Sequence, residues 1–74
     1  MQATEPKTIE IVLNGEPRRV LEGLTVLGLL LDVGVDPERV AVELNRSIVR
    51  QSDWKGRTVE PGAQVEVVQF VGGG

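Results

Sequence analysis

The 74-residue sequence contains no cysteine and no histidine. Without thiols there is neither a disulfide nor a thiolate metal site, so a small hydrophobic core must hold the fold alone. Without imidazole or thiol the usual nucleophile and base pairs cannot be assembled. Ser47 and Ser52 have nothing to activate them, which excludes a hydrolase triad. Trp54 and Phe70 are the only aromatic residues. That is too few stacking platforms for a nucleic-acid surface, although Arg18, Arg19, Arg46, Arg50 and Arg57 supply cations. Eight Lys and Arg against eleven Asp and Glu give a net charge of -3, which opposes a phosphate-rich partner and favours a basic protein surface. The longest nearly apolar run, Val26 to Leu31, falls far short of the roughly 18 residues of a membrane helix or the 7 to 15 of a signal peptide. A soluble, cytoplasmic protein is expected, and the missing cysteines agree with a reducing compartment.

What is present is punctuated clearly. Residues 1–7 are polar and aperiodic, a disordered lead-in. Residues 8–71 are expected to form one domain, and 72–74 a flexible glycine tail. From Thr8 to Leu13, Ile9, Ile11 and Leu13 alternate with Glu10 and Val12, as in a half-buried strand. Asn14-Gly15 suits a type I′ turn, and Glu16 to Leu21 returns as the second strand of a hairpin. Pro17 cannot donate to a ladder and places that strand at an edge. Thr25 precedes Val26, Leu29, Leu30 and Val33, the stripe of an N-capped amphipathic helix that Gly34 ends. Gly28 inside it points to a close approach by another strand or loop.

Asp36-Pro37 is a turn. Val40, Val42 and Leu44 alternate with Ala41 and Glu43 in a third strand, and Ser47 to Arg50 forms a short fourth. Trp54 is expected to cover a small core rather than to serve as a ligand platform. Glu60-Pro61-Gly62-Ala63 is a turn before a valine-rich strand from Gln64 to Val71. One amphipathic helix and four to five half-apolar strands bury each other when the helix crosses one face of a mixed sheet. This is the α+β, β-grasp (ubiquitin-like) arrangement, with the first and last strands parallel at its centre.

Asp32, Asp36 and Glu38 lie close in sequence but lack the spacing of a calcium loop, and they read as solvated helix-end and turn carboxylates; no metal site is expected. Gly72-Gly73-Gly74 carries no adjacent Lys-Ser or Lys-Thr and is no phosphate loop. It places an α-carboxylate after three residues without side chains. Extended, they reach about 10 Å, enough to pass a carboxylate through a narrow channel, and glycine is what such a channel admits.

The Asn14-Gly15 hairpin, Thr25-Val26 opening a leucine-rich helix, Val40 to Asn45, Val49 with Ser52 and Trp54, and Val65 to Val68 running into Phe70-Val71-Gly72-Gly73-Gly74 resemble the ThiS sulfur carrier family of thiamine biosynthesis. The resemblance covers Thr8 to Gly74. Two turn positions depart from it: Arg46, where the family often has glycine, and Ala63, where aspartate is frequent. The resemblance implies a carrier and not an enzyme, with the Gly74 carboxylate as the reacting group and Gly72 and Gly73 threading it. An E1-like (ThiF-like) adenylyltransferase using ATP and Mg would activate it, and sulfur from a cysteine desulfurase route would give a thiocarboxylate. Thiazole synthase (ThiG-like) would consume that thiocarboxylate, and no bound cofactor is implied. A molybdopterin-type carrier and a regulatory TGS-like module share the expected fold.

If Ile9, Ile11, Leu13, Val65 and Val67 face the helix, Val12, Val68 and Phe70 fall together on the open face, ringed by Glu10, Glu43 and Glu66, as a partner-binding patch. The competing expectation is a β-bulge that turns Phe70 into the core.

Overall fold

A computed structural model describes residues 6–70. The first hairpin pairs β1 (Thr8–Leu13) antiparallel with β2 (Glu16–Leu21). Asn14 and Gly15 between them have φ of 49° and 83°, the left-handed pair that a type I′ turn requires. Lys7 already belongs to this hairpin, since its carbonyl accepts the Glu22 N–H at 2.9 Å. The expectation for Met1 to Glu5 lies outside the described residues.

Helix α1 (Val26–Val33) begins where the Thr25 hydroxyl accepts the Gly28 N–H and ends at Gly34, whose φ of 89° is left-handed. Its remaining first-turn donors are met from a distant loop. The Val26 N–H donates to the Arg57 carbonyl at 2.8 Å, and the Leu27 N–H to the Trp54 carbonyl at 3.1 Å. The helix start is therefore closed by the chain itself, which satisfies groups that every helix leaves orphaned. At Gly28 the close neighbour is neither a strand nor a loop backbone but the Leu24 side chain, 2.8 Å from where a Cβ would stand.

The second half contributes β3 (Val40–Leu44), β4 (Ser47–Val49) and β5 (Gln64–Gln69). Two 3₁₀ turns interrupt the connections: Pro37–Arg39, at the turn expected from Asp36-Pro37, and Gln51–Asp53, which the sequence pattern does not announce. The strand order is β2-β1-β5-β3-β4, with β1 and β5 parallel and the other pairs antiparallel. Pro17 thus sits on an edge strand, as its missing donor demands. The fold is the expected β-grasp sheet, with five strands and one helix across it.

The turn between β3 and β4 is a second two-residue left-handed turn, with φ of 50° at Asn45 and 70° at Arg46. A side chain at Arg46 costs about 1 to 2 kcal/mol there relative to glycine. Asn45 compensates in part, its side-chain oxygen accepting the Gln64 N–H at 2.9 Å. At the other departure Ala63 is buried, and its N–H donates to the Glu60 carbonyl to close the Pro61-Gly62 turn.

Ile9, Ile11, Val20, Val40, Val42, Leu44 and Val65 from the sheet meet Val26, Leu29 and Leu30 of the helix in one core. Trp54 belongs to this core: it is 3% exposed, and its Nε1–H donates to the Val49 carbonyl at 2.9 Å. Asp32 pairs with Arg18 at 3.1 Å, and Asp36 accepts the Glu38 N–H. Among the described residues no helix is long and apolar enough to cross a membrane, and no three metal-ligating side chains cluster.

Candidate functional site

The helix covers one face of the sheet and leaves the other uncovered. Period-two alternation sends Thr8, Glu10 and Val12 of β1, Ala41 and Glu43 of β3, and Glu66 and Val68 of β5 to that uncovered face. The register then decides which of them meet. Val68 lies opposite Ala41, and Glu66 opposite Glu43. Ile48 of β4 lies opposite Glu43, which makes it a diagonal neighbour of Ala41. Phe70 continues the alternation past β5, held by its N–H donating to the Arg39 carbonyl at 2.8 Å.

Phe70 is 60% exposed, Val68 57% and Ile48 78%. No bulge turns the aromatic ring inward, so the core-filling expectation for Phe70 fails. A row of three large apolar side chains, with Ala41 between them, is more than scattered surface hydrophobicity and makes this face the candidate contact surface.

The register also corrects the expected composition of the patch. Val12 is half-buried and level with Gln64, four residues from Val68, or about 13 Å along the strand. It shares the face but not the cluster. Glu10 lies further still in the same direction, opposite Arg19. Of the three expected acidic residues, Glu43 and Glu66 lie beside the patch, directly across the ladder from each other. Two like charges so placed disfavour the pair by themselves, and a cationic side chain from a partner would relieve them. Sequence reasoning missed Ile48. Its signal was there, an isoleucine beside the core residue Val49 and so turned to the opposite face of the short strand, but only the β3–β4 register brings it to the patch.

The patch stands at the end of β5, immediately before residues 71–74. Gly72, Gly73 and Gly74, the expected reacting and threading residues, lie outside the described residues. The strand that leads to them is fixed at the sheet's centre, with β1 along one side and β3 along the other.

Replacing Phe70 by alanine tests the patch. With so much of the ring in solvent, stability should change by no more than about 0.5 kcal/mol, whereas affinity for a partner that docks on this face should fall roughly tenfold or more, as for an aromatic anchor. Thermal unfolding and titration calorimetry read the two separately. A large loss of stability with unchanged affinity would return Phe70 to the core.

Known proteins extend this picture. The model of the ThiS family matches residues 11–74. A thiazole synthase of Magnetococcus marinus is 42% identical over 66 residues, 89% of this chain but only 20% of that protein. The sulfur carrier protein ThiS of Thermus thermophilus is 42% identical over 62 residues, covering 84% of this chain and 95% of its own length. The crystal structure of the thiamine biosynthesis protein ThiS from Geobacter metallireducens superimposes with a TM-score of 0.78 at 35% identity, covering 89% of this chain and all of that one. With the family match running through both halves of the sheet and on to the last glycine, the chain belongs to the ThiS family.

Proposed function

We propose that the chain carries sulfur for thiamine biosynthesis as a thiocarboxylate on Gly74. The observation that carries this reading is the junction at Phe70: a centrally anchored strand passes an exposed apolar patch and continues into three residues without side chains. An enzyme docking on Ile48, Val68 and Phe70 would hold the glycines in line with its active site. The family match includes those glycines. The Thermus relative, named a sulfur carrier protein, favours sulfur transfer over a TGS-like interaction module. The part of a thiazole synthase that resembles this chain favours the thiazole branch over molybdopterin synthesis.

The chemistry arises from what a carboxylate lacks. Its oxygen is a poor leaving group until a nucleotide is attached. An E1-like adenylyltransferase with ATP and Mg supplies that step: the Gly74 carboxylate attacks the α-phosphate, and pyrophosphate departs. A sulfur nucleophile then displaces AMP and leaves a thiocarboxylate for thiazole synthase to consume. In the cell its sulfur comes by a cysteine desulfurase route. The protein itself contributes the docking face and the tail and acts as a co-substrate.

Incubation with the E1-like enzyme, ATP, Mg and sodium sulfide should replace one oxygen by sulfur, a gain of about 16 Da by intact mass spectrometry, as acyl substitution requires. Removing Gly74 should abolish the gain. An unchanged gain in the truncated chain would refute the assignment.

A further inference from the structure

The sheet has a gap beside β5. Along a strand, successive residues direct their N–H and C=O to opposite edges. Toward β1, Val65 is paired by the Asn14 N–H at 2.8 Å. The next residue on that edge, Val67, is paired by a side chain. The Asn14 amide oxygen accepts the Val67 N–H at 2.8 Å, and its nitrogen donates to the Val67 carbonyl at 3.3 Å. There β1 turns away into β2. Gln69 comes next on that edge, and among the described residues its main-chain N–H and C=O have no partner. On the other edge the ladder continues to Phe70.

Below the gap, on the helix side of the sheet, lies a notch of about 90 Å³ between Leu13, Leu30, Val33, Val35 and Val67, with Asn14 and Gln69 at its rim. That is several times the space one water needs. No charged side chain lines it. A free strand edge beside a small apolar notch has the two parts of a strand-addition site, main-chain bonds for affinity and a pocket for one side chain.

We infer that an extended segment of the adenylating enzyme takes the place that β1 vacates, pairs with the main chain of Gln69 and inserts one aliphatic side chain into the notch. This inference rests on the carrier reading above. The glycines beyond Gln69 make the enzyme the occupant. A run of glycines offers nothing to recognise except its main chain, and a strand begun at Gln69 can continue pairing along it toward the reacting carboxylate. The same enzyme would meet the Ile48, Val68 and Phe70 patch on the opposite face, and so grip β5 from edge and face together. A second copy of this chain is a poorer occupant, because its own β5 edge is closed at Val67 by Asn14 and two copies would share little more than Gln69.

Amide hydrogen exchange of the ¹⁵N-labelled chain tests the pairing. The Gln69 amide should exchange freely in the isolated chain and slow by about tenfold or more when the E1-like enzyme is added, as an amide entering a ladder does. Val33→Arg should obstruct the notch and weaken calorimetric binding roughly tenfold or more. Its thermal midpoint should be kept, since Val33 is partly exposed and a cation suits the last turn of a helix. Binding with unchanged Gln69 exchange, or full affinity in the Val33 variant, overturns the inference and leaves the carrier reading standing. Protection that rises with the chain's own concentration assigns the gap to a second copy and also overturns it. Absence of both binding and adenylation removes the carrier reading, and this inference with it.

Discussion

Replacement of Gly73 by valine is expected to reduce adenylation by about a hundredfold, the scale on which a reacting group misplaced by an ångström loses rate. The substitution should leave the thermal midpoint within about a degree, as changes at the ends of a domain usually do. Two effects act together. Valine adds a branched side chain where the proposed carrier function calls for bare backbone, and it narrows φ and ψ to a fraction of the space open to glycine. The described core is complete without this position: its last member is Val65, with Val67 packed against it. Gly73→Ala should fall between, having one methyl group and no branch. Pyrophosphate release at saturating ATP, measured beside thermal unfolding, separates passage from folding. Equal turnover for the valine variant would mean that the glycines are not selected for passage, and the tail would need another explanation.

The glycine tail is readable from the chain, and other features were not. Local signals transferred well because each is enforced within a few residues. Asn14-Gly15 supplies the two left-handed residues of a hairpin turn, Thr25 and Gly34 cap the helix, and Pro17 is tolerated only at an edge. The alternation in β1 and β3 correctly sent Ile9, Ile11, Val40, Val42 and Leu44 to the core, while at the end of β1 Val12 and Leu13 are both half-buried. What alternation cannot supply is the level at which two strands meet. Val12 and Val68 share a face, but the parallel register sets Val12 against Gln64, and so the expected patch came apart while Ile48 entered it. The Asn14 clamp on Val67 spans 53 residues. Asn14 was legible as a turn residue because φ near 50° suits asparagine; that its amide also stands in for a strand depends on where β5 passes. The bonds from α1 to the carbonyls of Trp54 and Arg57 are hidden for the same reason.

Trp54→Ala should destabilise the domain by about 3 to 5 kcal/mol, the range for deleting a buried aromatic side chain. A chain of 74 residues has roughly 4 to 11 kcal/mol of total stability at ~0.05 to 0.15 kcal/mol per residue, so the variant would be partly unfolded at room temperature if the parent lies at the lower end. Three features place the effect near the top of the range. The ring lies within the main core. Its removal leaves the Val49 carbonyl without the indole donor, and an abandoned buried acceptor costs about 1 to 3 kcal/mol unless water reaches it. The Trp54 carbonyl also holds the Leu27 N–H at the start of α1, so a loop relaxing into the cavity would pull on the helix. Trp54→Phe separates ring from donor: it keeps most of the apolar surface, and its loss should be close to the hydrogen-bond share alone, about 1 to 2 kcal/mol. Urea unfolding followed by circular dichroism gives both values without the indole as reporter. A loss below about 1 kcal/mol for alanine would show that the ring contributes little to the core. The alternative weighed against core covering, a ligand platform at Trp54, would then take its place, and with it a binding function that the sulfur-carrier reading does not use.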